Sequence, residues 1–82
     1  MHKVRVYMAA TGRTLVDIAN NAGMDPAELR RIASGKRKPG RKVRQRIAHA
    51  MGITLQELDA DMVVFASRIR KQNDLERNRG DS

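Results

Sequence analysis

The stretch "TLVDIANNAGMDPAELRRIA", residues 14–33, has the pattern of two short amphipathic helices joined by a turn. Gly23 stands where the first helix should end, because glycine readily adopts the left-handed conformation that closes a helix. Apolar residues recur at helical spacing on both sides of it: Leu15, Ile18, Ala19 and Ala22 before, Leu29, Ile32 and Ala33 after. The stretch therefore predicts two helices that cross steeply, since a glycine in the turn permits such a crossing.

Capping patterns extend this prediction along the chain. Three short polar residues, each with an acid three positions later, are suited to begin a helix: Thr14 with Asp17, Asp25 with Glu28, and Thr54 with Glu57. The last pair fits the capping box in full, and the other two are close variants. Pro26 favours the second start. Together with Gly35 and Gly52 as stops, these signals predict helices near 14–22, 26–34, 41–51 and 54–59.

The two ends of the chain have more ambiguous patterns. A first helix is predicted over about residues 3–10, although the alternation in "KVRVYM", residues 3–8, also allows a strand. Near the other end, apolar residues step by 3, 4, 3, 4 as in a short coiled-coil seam: Leu55, Leu58, Met62, Phe65 and Ile69. The favoured interpretation is a helix, with "MVVF", residues 62–65, as a possible edge strand.

These patterns predict an all-α protein in three parts. Residues 1–59 form a compact five-helix domain, residues 60–71 a C-terminal extension, and residues 72–82 a polar tail without stable structure. The extension is predicted to mediate dimerisation through Leu58, Met62, Phe65 and Ile69. The alternative is that it packs as a last helix on its own domain, with Leu55 and Leu58 closing the core.

Composition limits the possible functions. The 82 residues contain no cysteine, which excludes disulfides, thiolate zinc sites and cysteine nucleophiles. No apolar run approaches the roughly 20 residues that a membrane span requires, and the expected location is the cytoplasm or nucleoid of a bacterium. The only histidines, His2 and His49, have no acid, nucleophile or metal-ligand cluster around them in the sequence, so we expect neither an enzyme nor a cofactor.

Positive charge is concentrated in one part of the chain. The net charge is +8, and residues 30–46 contain nine basic residues and no acid. Charge of this kind indicates a polyanionic partner. Single-stranded RNA is disfavoured because Tyr7 and Phe65 are the only aromatic residues available for base stacking. The basic stretch follows directly on the second helix of the predicted pair, which is where a loop beside a DNA backbone belongs.

With these residues in view, "TGRTLVDIANNAGMDPAELRRIASGKRKP", residues 11–39, resembles the Cro/CI, lambda-repressor-like (XRE-type) helix-turn-helix family. "IAHAMGITLQEL", residues 47–58, continues the resemblance, which covers about residues 3–59. The resemblance implies a five-helix domain that binds operator DNA, usually as a dimer, and often serves a phage, plasmid or integrative element. Three features depart from the family. Leu15 replaces a usual Gln that contacts DNA, and Arg44 replaces an apolar residue. The front of the recognition helix is usually polar but here is Pro26, Ala27 and Glu28.

Candidate DNA contacts follow from this placement. Ala27 is expected to meet a thymine methyl group, Glu28 either a cytosine amine or the helix start, and Arg30 a guanine edge or a phosphate. Pro26 is a candidate at the front of the same helix. The other candidates are expected near the phosphate backbone: Thr14, Arg31, Ser34, Lys36, Arg37, Lys38, Arg41 and Lys42. The predicted function is sequence-specific regulation of transcription, as a homodimer on double-stranded DNA. The alternative is a protein-interaction module, an antiactivator or antitoxin, whose partner binds the C-terminal extension.

Overall fold

The computed structural model describes residues 1–79 of the protein, all of whose regular structure is helical. The six helices are α1 (His2–Thr11), α2 (Leu15–Ala22), α3 (Pro26–Ala33), α4 (Arg41–Met51), α5 (Leu55–Asp59) and α6 (Met62–Arg79). The all-α prediction is confirmed, and the possible strands at residues 3–8 and 62–65 are helices. None of the helices within residues 1–79 is long and apolar enough to cross a membrane.

The helices begin and end for the reasons that their sequences indicate. Both α2 and α5 have a complete reciprocal capping box, Thr14 with Asp17 and Thr54 with Glu57. Gly52 ends α4 with φ of 72°, and a Cβ placed there would lie only 2.8 Å from Nε2 of Gln72. The backbone conformation of this position favours glycine, and a Cβ here would also push the amide of Gln72 away from the carbonyl oxygen of Met51 to which it donates.

One apolar core connects all six helices. Its fully buried members come from every element and include Val4, Ile18, Leu29, Ile47 and Leu58. Helix α2 packs on α3 and α4, α1 packs on α3 and α6, and α5 packs on α4 and α6. Lys3 strengthens the junction of α1 with α5, since its Nζ donates to the carbonyl oxygens of Leu58, at 2.6 Å, and Ala60.

Helix α6 belongs to this core. Phe65 and Ile69 are 0% and 1% exposed, and Leu58 before them is 1% exposed. The prediction of a dimer interface at Leu58, Phe65 and Ile69 is therefore wrong, because these side chains have no surface left for a second chain. Met62, the fourth residue of that prediction, is half-buried against the same core. Residues 60–71 are accordingly part of the domain and not an extension beside it.

The predicted polar tail is also helical through Arg79, and residues 80–82 lie outside the described residues. Polar side chains fasten this part of α6 to the ends of other helices. Gln72 donates to the carbonyl oxygen of Met51 at 3.0 Å, and Asn73 donates to that of Ala10 at 3.1 Å. These contacts satisfy carbonyls that a helix end leaves without partners, so a polar sequence here forms ordered structure.

Replacing Phe65 tests whether α6 is part of the core. We expect Phe65→Ala to lower the free energy of unfolding by about 3–5 kcal/mol, because it removes a fully buried ring and leaves a cavity. Val63 is 76% exposed on another side of α6. Val63→Ala should therefore change the free energy of unfolding by less than about 0.5 kcal/mol. Urea denaturation followed by circular dichroism measures both values, and a Phe65→Ala protein as stable as the wild type would contradict the packing described.

A second prediction concerns acid stability. The backbone N–H of Thr54 donates to Glu57 at 2.9 Å and lowers the pKa of its carboxyl, burial opposes this, and Arg68 at 2.7 Å lowers the pKa further. A carboxyl with a lowered pKa stabilises the fold above its unfolded pKa, and the effect is lost as pH falls through the folded pKa. Glu57→Gln should therefore destabilise the protein at neutral pH, and the difference from wild type should shrink towards about pH 3. A difference in urea midpoint that stays constant with pH would contradict this.

Candidate nucleic-acid interface

The turn between α2 and α3 fixes the position of the third helix. Gly23 has φ of 66°, and the N–H of Met24 donates to the carbonyl oxygen of Ala19 at 3.0 Å, which closes the end of α2. Asp25 then begins α3, since its side chain accepts from the N–H of Ala27 at 2.9 Å, with Pro26 as the first helical residue. The direction of α3 is thus set by backbone contacts within three residues of the turn.

Helix α3 presents one face to the core and the other to solvent. Leu29 and Ile32 are fully buried, whereas Arg30 and Arg31 are exposed. The front of the helix is partly covered, because Pro26, Ala27 and Glu28 are each half-buried. The solvent face of α3 therefore begins with three half-buried residues and continues with the two exposed arginines, and Ser34 follows at the end of the helix.

Asp25 alone provides the side-chain cap of α3. The sequence allowed Glu28 to be either a helix cap or a DNA contact. The structure shows that Glu28 does not cap α3. Its carboxylate instead lies 3.4 Å from Nε of Arg37, with side-chain exposures of 34% and 57% for the two residues. The side chain of Glu28 thus contacts the basic loop that follows α3.

The basic loop is folded against the end of α3. The N–H groups of Lys36 and Arg37 donate to the carbonyl oxygen of Arg31 at 2.9 and 3.2 Å. The side chains of Lys36, Arg37 and Lys38 are nevertheless exposed. A loop whose backbone is held while its cations point outward can present them to a phosphate backbone in a fixed place.

Helix α4 adds two further exposed cations, Arg41 and Lys42, in its first turn. Gly40 precedes them and provides no side-chain cap, and the first turn of α4 contains no acid. The start of α2 differs, since the hydroxyl of Thr14 and the carboxylate of Asp17 satisfy each other's backbone N–H groups there. The negative charge of Asp17 opposes a phosphate at Thr14, so the start of α4 is the better of the two ends for an anion.

Leu15 and Arg44 depart from the family pattern, and both have structural roles. Leu15 is half-buried and packs against the core. Arg44 is half-buried, and its Nε lies 3.1 Å from Asp59 while its guanidinium donates to the carbonyl oxygen of Pro39 at 3.2 Å. Arg44 therefore connects α4 with α5 and with the loop, and its charge is largely neutralised.

Most of the nine cations between residues 30 and 46 have no acidic partner. Among the described residues, only Arg37 and Arg44 of this group form ion pairs. The sequence contains no acid from residue 29 to residue 56, so the field of the other seven cations is not balanced locally. A surface of this kind attracts polyanions and accelerates their association.

Arg46 is a candidate contact that the sequence analysis did not select. It is exposed one turn after Lys42, and both residues line a groove with Asn21 and Ala22 of α2. A sequence signal existed, because Lys42 and Arg46 are four residues apart and therefore share a helix face. What the sequence did not indicate is that the end of α2 lies beside that face.

Comparison with known families identifies the class to which this surface belongs. The profile of a family described as helix-turn-helix matches residues 4–58. The chain belongs to this family, whose members of the Cro/CI type are DNA-binding regulators. Comparisons with curated proteins and with solved structures give no significant match. The family match covers α1 to α5, while the structure adds α6 to the same core.

The loop cations lead to a prediction about salt. Because each neutralised phosphate contributes a slope of about 0.9 in log K against log salt, Lys36→Ala and Lys38→Ala should each reduce the slope by about that amount per subunit. They should weaken binding to any duplex alike. Arg30→Ala should instead reduce the preference for a selected sequence by about 1–3 kcal/mol if Arg30 contacts a base.

Fluorescence anisotropy with a duplex selected from random DNA and a shuffled duplex measures these effects. Equal losses on both duplexes for Arg30→Ala would identify Arg30 as a backbone contact. A salt slope that does not change in Lys36→Ala or Lys38→Ala would show that the loop does not lie on the DNA.

Proposed function

We propose that the protein is a transcriptional repressor that binds a palindromic operator as a homodimer. The observation that carries the proposal is the row of exposed, unpaired cations beside the solvent face of α3: among the described residues Lys36, Lys38, Arg41 and Lys42 have no acidic partner. In this arrangement α3 enters the major groove and the cations contact the phosphate backbone on its flank. Occupying a promoter is itself enough to exclude a polymerase.

The base-reading part of α3 is small in this proposal. Ala27 and Glu28 present a methyl group and a carboxylate, and the exposed long donors of the helix, Arg30 and Arg31, lie in its last turn. Such a front distinguishes few base pairs, whereas a genome offers millions of competing sites. Two copies related by a two-fold axis double the number of base pairs read, which favours a dimer.

The exposed side of α6 is the surface that we propose for the dimer. The exposed large hydrophobic residues of the described chain are Val16, Val63, Val64 and Leu75, and three of these four lie on α6. Val64 and Leu75 are about three helical turns apart and therefore lie on one stripe of the helix, with the exposed Lys71 between them. Helix α6 packs mainly on α1 and α5, and α3 is not among its main packing partners.

The dimer proposal predicts the form of the operator and the effect of a charge on α6. Selection from random double-stranded DNA should give a palindrome with half-sites about one helical turn apart. Val64→Asp should remain helical but sediment as a monomer, and it should bind the palindrome at least about tenfold more weakly than the wild type because the second half-site no longer adds to affinity. Ala9→Asp adds the same charge at an exposed position of α1 and should remain dimeric.

A Val64→Asp protein that stays dimeric would place the interface elsewhere. An unpaired, non-repeating motif would exclude the two-fold arrangement. If the wild type binds no duplex even at low salt, the protein is instead an interaction module, and the stripe on α6 is the surface on which to search for its partner.

A further inference from the structure

Glu28 is the one acid placed among the cations of the DNA-binding surface. It lies in the first turn of α3, and the next acid in the chain is Glu57. Its Oε1 is 3.4 Å from Nε of Arg37. An ion pair as exposed as this one contributes little to folding stability, and α3 has its own cap at Asp25. The pair is therefore of more consequence for what the surface binds than for the fold.

Arg37 differs from its neighbours in this respect. Lys36 and Lys38 on either side of it have no acidic partner among the described residues, whereas Arg37 is held by Glu28. The N–H of Arg37 donates to the carbonyl oxygen of Arg31 at 3.2 Å, so its backbone stays in place. Only the side chain of Arg37 must turn for its charge to move from Glu28 to a phosphate.

Resting on the function proposed above, we propose that Glu28 is a specificity switch. Glu28 releases Arg37 to the phosphate backbone only when a base amine takes the place of the Arg37 guanidinium. A carboxylate accepts hydrogen bonds and does not donate them, so Glu28 gains nothing from phosphate oxygens, which carry the same charge. In the major groove it can bind only the exocyclic amines of cytosine and adenine. Where no such amine is presented, Glu28 keeps Arg37 and the duplex loses one phosphate contact.

In this proposal, the complex with the correct sequence has one more neutralised phosphate per subunit than the complex with any other sequence. On the correct sequence, an amine takes the place of the guanidinium at Glu28, and Arg37 neutralises a phosphate. On other sequences, the pair remains closed, Glu28 keeps Arg37 as its donor, and the complex has one phosphate contact fewer, which weakens binding to the wrong partner. Lys36 and Lys38 contribute to both complexes equally.

The salt dependence of binding tests the proposal. The probes are the duplex enriched by selection with the wild-type protein and a shuffled duplex of the same composition. For the wild type, the slope of log K against log salt should be steeper on the selected duplex by about 0.9 per subunit. Arg37→Gln should remove this excess on the selected duplex and leave the shuffled duplex unchanged.

Glu28→Gln keeps the size of the side chain and removes its charge. It should strengthen binding to the shuffled duplex several-fold and raise the slope there by about 0.9 per subunit, because Arg37 is then free on any DNA. The double variant Glu28→Gln/Arg37→Gln should lose that rise. Asp74→Asn removes the same charge at an exposed position of α6 and should leave both slopes as in the wild type.

Two results would overturn the proposal while leaving DNA binding intact. One is a loss of slope in Arg37→Gln that is equal on both duplexes, which would make Arg37 an ordinary phosphate contact. The other is a Glu28→Gln protein that behaves like Asp74→Asn. A wild type that binds neither duplex at low salt would instead remove the proposed function, and the switch with it. Circular dichroism of each variant shows that the fold is kept.

Discussion

The burial of Leu29 and Ile32 is the constraint on which the rest of the surface depends. Helix α3 has only eight residues and would not persist alone in water. It exists because these two side chains, fully buried, attach it to α1 and α2. Their position on the helix decides which residues face outward. Arg30, Arg31 and the half-buried Glu28 lie on the outward face of α3 because they occupy the positions that the core does not use.

The same constraint explains why the cations can be left unpaired. Repulsion among seven unbalanced charges opposes the compact state, yet none of these side chains carries core packing. Arg44 and Arg68, two of the basic residues that connect elements, each have a carboxylate within about 3 Å, at Asp59 and Glu57. Paired arginines thus connect elements of the fold, whereas most of the basic stretch is exposed and unpaired, and Arg37 is both exposed and paired with Glu28.

Helix α6 changes how the family fold is held together here. The family match ends at residue 58, but Phe65 and Ile69 complete the core that α1 and α5 begin. Aromatic residues bury more apolar surface than any others, and this chain has only Tyr7 and Phe65, both buried. A small domain with so few large side chains has a low free energy of unfolding. The buried residues of α6 are therefore important for stability, although most of the helix is polar.

The sequence by itself determined helices α1 to α5, their boundaries and the family, because caps, glycines and apolar spacing act within a few residues. It gave α2 to α5 within one or two residues, and it located the basic stretch beside α3. Only the tertiary structure decided what each face packs against. The spacing of Leu58, Phe65 and Ile69 is the same whether they meet their own domain or a second chain, since both bury the same stripe. Likewise, only the folded chain brings Arg37 back to Glu28 and releases Glu28 from the cap, because that choice depends on distances that local spacing does not fix.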